Sequence, residues 1–219
     1  MARPYSQYCA MARALDVVGD RWTLLVVREL LTGPKRHVDL LGGLPGVPRK
    51  LLGDRLRALA DAGVLERREL PPPAPAIVYE LTDRGRALEP VLVALGEWGE
   101  PLLGGPRPDD DFRLRWIALG LRHRFNPQAA ANLARVYELR VDDEVVQIEV
   151  RDGTVAVHDD VAARPDVVLE SDRQTFLDWG TGRLNDRDAL AAGLRIDGGA
   201  RELARFRRLF ALARREMAA

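Results

Sequence analysis

Apolar residues in the first third of the chain recur mainly at helical spacing. The first set with this spacing consists of Leu15, Val18, Trp22, Leu25 and Val26. Gly19-Asp20 allows a break within it, and the stretch "TGPK" after Leu31 supplies the glycine and proline that commonly end helices. We therefore predict helical structure from the N-terminal region to about Leu31.

A second helical pattern follows a short apolar segment, Val38 to Leu41, and the turn sequence "GGLPG". In "GVPRKLLGDRLRAL", Leu52, Leu56 and Leu59 fall at i, i+4 and i+7 and form an inward face. A different stripe of the same helix carries Lys50, Gly53, Asp54 and Arg57. The order predicted is helix, short helix, turn, helix.

From Val64 the apolar period becomes two, in "VLERREL" and again in "IVYEL", which predicts a hairpin. Four prolines within Pro71 to Pro75 belong at its tip, because proline cannot donate a ladder hydrogen bond. Thr82 is a suitable N-cap for a further helix through about Trp98.

The stretch "PLLGGPRPDDD" concentrates glycine, proline and aspartate as linkers do, and places a domain boundary near Gly105, between residues 1–105 and 106–219. Beyond it, "VYELRV", "VVQIEV" and "TVAVHD" alternate as three strands, and the acidic turns between them favour an antiparallel meander. "DVVLES" and "LRID" add strands. Helices are predicted at about Arg113–His123, Pro127–Leu133, Arg173–Trp179, Arg187–Ala192 and Ala200–Arg215. The predicted class of this half is α+β, with an antiparallel sheet covered by helices.

Composition gives no global sign of a nucleic-acid partner, because 33 basic and 33 acidic residues cancel. Locally, eight cations against four acids between Gly33 and Arg68 leave a charge of +4. A single cysteine excludes an internal disulfide, and we see neither a leader sequence nor a membrane span. We expect a cytoplasmic protein with no membrane association.

Local positive charge on a helix-turn-helix followed by a hairpin is the layout of a winged helix, which places its second helix in the major groove. Lys50 and Arg57 are candidates to donate to guanine edges or phosphates, and Asp54 either accepts from cytosine or pairs with Lys50 or Arg57. Arg55 lies on a flank and reaches for phosphate or an acidic neighbour. The other cations of this expected DNA-binding set are Arg36, Arg49, Arg67 and Arg68.

Gly53 has two interpretations. Glycine inside a helix costs about 1 kcal/mol relative to alanine, so its presence on an exposed face favours close approach of another backbone, such as DNA. Alternatively, it is a tolerated surface glycine.

These residues offer little basis for catalysis. His37, His123 and His158 are isolated, no metal-ligand or phosphate-loop spacing occurs, and the pairs Asp142-Asp143 and Asp159-Asp160 are typical of turns. We expect no enzymatic activity, no metal and no cofactor.

Several motifs, in order, closely resemble the HxlR-type winged helix-turn-helix regulators of bacteria, within the MarR-like group: "ALDVVGDRW", "RELLTGP", "LPGV", "RLRALADAGVLERR" and "YELTDRGRAL". The resemblance covers about Tyr8 to Gly99. It implies a homodimer on roughly palindromic double-stranded operator DNA, with dimerisation through Ala14–Val18 and Leu88–Trp98.

Three positions depart from that family pattern. Pro48 replaces the Ser or Thr that often caps the recognition helix, Ala76 replaces an arginine of the returning wing strand, and His37 replaces an aromatic residue. Cys9 occupies a position where some members carry an oxidant-sensing cysteine, and an ordinary cysteine near a dimer interface is the alternative.

Arg113 to Met217 resembles the sterol carrier protein type 2-like fold through "VYELRVDDEVVQIEVRDGTVAV", the strand "DVVLESD" and the run "GLRIDG". This resemblance implies a pocket for a small apolar ligand, for which Trp116, Phe176, Trp179 and Phe206 are candidates; each is otherwise simply a core residue. Two hypotheses follow: a dimeric transcriptional regulator that senses an apolar ligand, or a lipid carrier that uses the winged domain only to dimerise.

Overall fold

The computed structural model describes residues 4–71, 75–103, 107, 110–158 and 164–212, and the chain forms two compact units, Met1–Asp111 and Phe112–Ala219. Gly105, where we placed the boundary, lies outside the described residues. Within the described part of the chain, no helix is both long enough and apolar enough to span a bilayer.

The first unit is built from helices and a small antiparallel sheet in the order β1-β3-β2. Its elements are α1 (Ala10–Val18), α2 (Thr23–Leu30), β1 (Lys35–Arg36), α3 (His37–Gly43), α4 (Arg49–Asp61), β2 (Leu65–Leu70), β3 (Ala76–Leu81), α5 (Asp83–Arg86) and α6 (Glu89–Gly99). A 3₁₀ turn, Glu100–Leu102, follows α6. The predicted break at Gly19-Asp20 and the short helix before the turn are both confirmed.

One apolar core joins the helices of this unit. Leu52, Leu56 and Leu59 of α4 are fully buried in it together with Val26 and Val27 of α2, as the i, i+4, i+7 spacing predicts. The predicted hairpin is confirmed as β2 paired with β3, and the described residues stop short of its tip at 72–74.

The helix predicted from Thr82 to Trp98 is interrupted. Thr82 Oγ1 accepts the amide hydrogen bond of Gly85 at 3.2 Å, so the predicted cap is present, but α5 ends at Arg86. Pro90 has no amide hydrogen to bond residue 86, and a new helix, α6, begins beside it.

The second unit places a five-stranded sheet, in the order β6-β5-β4-β7-β8, against helices. Its elements are α7 (Leu114–His123), a 3₁₀ turn (Gln128–Ala130), β4 (Ala134–Val141), β5 (Glu144–Arg151), β6 (Thr154–His158), β7 (Val167–Ser171), α8 (Arg173–Gly180), α9 (Asp186–Ala191), β8 (Arg195–Ile196) and α10 (Gly199–Leu209). The class α+β is confirmed, and so is the meander β4-β5-β6.

Three details of this unit correct our expectations. Strand β7 pairs with β4 in parallel, Tyr137 opposite Val167, so the sheet is mixed rather than wholly antiparallel. The helix expected at Pro127–Leu133 is a single 3₁₀ turn, because Asn126 Oδ1 takes up the amide hydrogens of Gln128 and Ala129 and Asn132 has a left-handed backbone, φ +59°. The closing helix ends at Leu209, and residues 213–215 of the predicted helix lie outside the described residues.

Candidate nucleic-acid interface

The first turn of helix α4 begins with side chains that are exposed to solvent. Its N-cap, Pro48, has extended backbone and provides no side-chain hydrogen bond, which matches the sequence expectation for this position. Arg49 and Lys50, the first two helical residues, are exposed. Unpaired amide groups and two cations therefore lie together at this end of the helix, an arrangement that attracts phosphate.

The outward face of α4 carries the predicted polar stripe. Lys50, Asp54 and Arg57 are exposed, opposite the buried leucines. A Cβ atom added at Gly53 would meet nothing within 4 Å. Packing within this protein therefore does not require glycine at position 53.

Asp54 and Arg57 form an exposed ion pair. Arg57 Nη1 lies 3.3 Å from Asp54 Oδ1, with the Arg57 and Asp54 side chains 73% and 48% exposed. Pairs this exposed contribute about 0–1 kcal/mol, so DNA can displace this contact at little cost. The predicted pairing of Asp54 with Arg57 is therefore observed, and its contact with a base stays a prediction.

Arg55 differs from Arg57 because its partner belongs to another segment of the unit rather than to α4 itself. Its Nη1 donates to Asp20 Oδ2, from the segment that joins α1 to α2. The Arg55 side chain is 19% exposed. Of the two contacts predicted for Arg55, the structure shows the one with an acidic neighbour. The sequence marks that neighbour, Asp20, only as part of a helix break.

Arg36 is the N-cap residue of α3. Its guanidinium donates to both Asp39 oxygens at 2.8 Å, and its backbone amide donates to Asp39 Oδ2 at 3.0 Å. The side-chain hydrogen bond from Arg36 holds the pKa of the Asp39 carboxyl below its usual range and raises the pKa of Arg36. Arg36 remains 57% exposed, so its charge still faces solvent.

The wing strands carry the remaining cations. Arg67 and Arg68 of β2 are exposed, and Arg68 pairs with Glu80 of β3, with Nη2 2.9 Å from Oε2. Ala76, where an arginine was expected from the family pattern, is the first residue of β3 and is half-buried. The wing charge thus comes from the outgoing strand β2.

His37 is the first residue of α3 and is half-buried. Cys9 is exposed at the N-cap of α1, where its side chain makes no capping hydrogen bond. In the part of the chain that is described, no three His, Cys, Asp or Glu side chains form a group that could hold a metal ion.

The four candidate ligand residues of the second unit separate into two groups. Phe176, Trp179 and Phe206 are buried and pack on one another, with Trp179–Phe206 ring centroids 5.9 Å apart. Trp116 on α7 is half-buried. The first three are core residues in this conformation, and their contact with a ligand stays a prediction.

Polar contacts fix the buried aromatic cluster. Trp179 Nε1 donates to Asp186 Oδ1 at 2.9 Å, and Arg207 Nε donates to the same oxygen at 2.8 Å. Tyr137 packs edge-on against Phe206, and its burial, with a smaller effect of the nearby Glu202 charge, raises its pKa to about 12. Sequence patterns mark Tyr137 only as an inward strand position.

A short helix, a turn, a helix with an exposed cationic stripe and a directly following hairpin define a winged helix-turn-helix protein. Comparison with known proteins gives the family. The chain belongs to the HxlR-like helix-turn-helix family, which it matches over residues 17–105. Residues 120–211 match the SCP-2 sterol transfer family.

Curated relatives resemble the first unit. An uncharacterised HTH-type transcriptional regulator of Synechocystis, sll1512, is 39% identical over 95 residues, which are 43% of this chain and 70% of that protein. A second such regulator, Rv3095 of Mycobacterium tuberculosis, is 40% identical over 100 residues, 46% of this chain and 61% of that protein. Among solved structures, the putative transcription factor PA1607 is 37% identical, with 49% of this chain and 73% of that chain covered and a TM-score of 0.42.

Proposed function

We propose that the protein binds double-stranded operator DNA as a homodimer and regulates transcription in the cytoplasm. This proposal rests mainly on the exposed stripe of α4, formed by Lys50, Asp54 and Arg57. The opposite face of the helix is buried in the core. On this proposal α4 enters the major groove, where Lys50 and Arg57 donate to guanine edges or phosphates.

The surrounding cations take the positioning role. Arg36, Arg49, Arg67 and Arg68 are exposed around α4, and each supplies a charge for backbone phosphates. Phosphate neutralisation releases counterions, so binding is expected to weaken steeply as salt rises. Family membership and the names of the relatives support regulation rather than a carrier role for the whole chain.

Selection of bound sequences from random DNA tests the proposal directly. The wild-type protein is expected to enrich one roughly palindromic motif, and Lys50→Ala with Arg57→Ala is expected to abolish specific binding without unfolding the protein. Arg151→Ala with Arg195→Ala, two exposed changes in the second unit, is the matched control. Absence of an enriched motif for the wild type, or intact specificity in the Lys50/Arg57 variant, would contradict the proposal.

The second unit is proposed to bind a small apolar molecule that changes DNA affinity. The match to the SCP-2 family and the layer of aromatic residues between sheet and helices support this. Native mass spectrometry of the purified protein is expected to show a co-purifying apolar molecule. If none is found, titration with a long-chain fatty acid decides, because a sensor predicts saturable binding that shifts the DNA dissociation constant.

A further inference from the structure

The segment that joins α1 to α2 lies close to the helix-turn-helix at two points. Asp20 accepts a hydrogen bond from Arg55, halfway along α4. Trp22 lies close to the turn between α3 and α4: a Cβ atom built on Gly46 would be 3.9 Å from Trp22 Cη2, an ordinary van der Waals separation. One short segment is therefore bonded to the recognition helix and lies beside the turn before it.

Trp22 has a backbone conformation that packing must maintain. Its φ of +77° lies in the left-handed region, which is disfavoured for a bulky residue and persists where the surroundings over-determine it. The Trp22 side chain packs against the apolar core of the first unit. The position of Asp20, two residues earlier, is thereby fixed relative to that core.

Leu52, Leu56 and Leu59 hold the inner face of helix α4 against the core, but its outer face has less support. Its N-cap, Pro48, provides no side-chain hydrogen bond, and its outward stripe is exposed to solvent rather than packed on another element. Arg55 lies on the flank between the outward stripe and the buried leucines, where a contact resists rocking of the helix. Asp20 and Arg55 are 36% and 19% exposed, so water screens this pair less than it screens Asp54 and Arg57.

We propose that Asp20 and Arg55 form a positioning pair that sets the angle of the recognition helix, and that Arg55 does not contact phosphate. The inference rests on the proposed DNA binding. It adds two positioning residues to that site and links the end of α1 to the orientation of α4.

The two roles of Arg55 predict opposite signs for one substitution. If Asp20 merely restrains a phosphate contact, Asp20→Asn frees Arg55 and tightens binding to the selected operator. If the pair positions α4, Asp20→Asn weakens specific binding by about tenfold, the scale of coupling between contacting residues. The slope of log Kd against log salt is then unchanged, because the protein neutralises the same number of phosphates.

Three further variants make the test decisive. Asp61→Asn, at the exposed C-terminal end of α4, measures the effect of removing one negative charge from the same helix. Arg55→Gln removes the charge, so it weakens binding with an unchanged salt slope if Arg55 positions α4, and it reduces that slope by about 0.9 if Arg55 neutralises a phosphate. The swap Asp20→Arg with Arg55→Asp is expected to recover part of the affinity that Asp20→Asn removes.

Urea unfolding of each variant separates folding from positioning, and the salt slope of Arg55→Gln decides if Asp20→Asn does not fold. Equal or tighter operator binding by Asp20→Asn, or a salt slope reduced by about 0.9 in Arg55→Gln, overturns the inference alone. A wild-type protein that enriches no DNA motif overturns the proposed function together with it.

Discussion

Among single residues, Gly53 is unusual because it lies inside a helix although packing within the described structure does not require a glycine there. The helix loses stability through this glycine, and no atom of the described residues lies within 4 Å of the position that a Cβ would take. Gly53→Ala is therefore expected to raise the free energy of unfolding by about 1 kcal/mol. If the DNA backbone approaches this point closely, the same change weakens operator binding.

Gly120→Ala is the matched control for Gly53→Ala, because Gly120 also lies inside a helix, α7, with no atom within 4 Å of an added Cβ. It is expected to stabilise the protein similarly and to leave DNA affinity unchanged. Chemical denaturation and fluorescence anisotropy measure the two effects. Unchanged operator affinity in Gly53→Ala would identify a tolerated surface glycine.

Tyr137 gives the second unit a pH dependence with a defined sign. Its pKa is raised from 10.0 to about 12, and burial is the largest cause. The protonated phenol therefore stabilises the folded state below pH 10, and that contribution disappears as pH rises towards 12. When the pH rises from about 9 to about 11.5, the free energy of unfolding should fall less in Tyr137→Phe than in the wild type. Urea midpoints at both pH values measure this, with the exposed Tyr5→Phe as control; equal losses in wild type and Tyr137→Phe would contradict it.

At the scale of elements, local patterns sufficed wherever neighbours in sequence determine the structure. Leu52, Leu56 and Leu59 indicated the buried face of α4, and Thr82 indicated a helix start. Pairing over longer separations was not accessible in this way, so the parallel contact of β7 with β4 was missed. Asp20 and Arg55 are 35 positions apart, and no periodic pattern links them. For this reason the sequence leaves both a phosphate and an acidic residue as the partner of Arg55.

Phosphate binding by the wing can be measured through the salt dependence of DNA affinity. Ala76 removes the expected cation from β3, so exposed Arg67 on β2 is the candidate to hold phosphate. Arg67→Ala should weaken binding to all sequences alike and reduce the salt slope by about 0.9 for each phosphate that is no longer neutralised. Arg151→Ala, 66% exposed in the second unit, is the control. An unchanged slope would show that Arg67 lies off the DNA.

At the scale of the whole molecule, regulation by an apolar ligand requires a coupling free energy between the two units. Typical couplings are about 1–3 kcal/mol, and they are reciprocal, so operator DNA must change ligand affinity by the same factor. Measuring fatty-acid affinity with and without operator thus checks the proposed sensing independently of transcription. Equal ligand affinity in both conditions would leave a binding module without regulatory effect.

Dimerisation gives the last prediction, because α1 and α6 expose apolar side chains that make no core. In the described residues α6 buries no side chain, and Val91, Leu95 and Trp98 are 51%, 48% and 71% exposed. Met11 and Leu15 of α1 are 70% and 40% exposed. Since the family resemblance assigns these two helices to dimerisation, we expect a second copy of the chain to cover their apolar surface.

Leu95→Glu would place a charge in that interface while leaving the core untouched. We expect sedimentation to show a dimer for the wild type and a monomer for this variant, with operator affinity reduced because two half-sites then bind independently. Leu190→Glu, at a 36% exposed leucine of α9 in the second unit, tests whether any added glutamate has this effect. A Leu95→Glu protein that stays dimeric would exclude α6 as the interface, and an unchanged operator affinity in a monomer would show that one copy suffices for recognition.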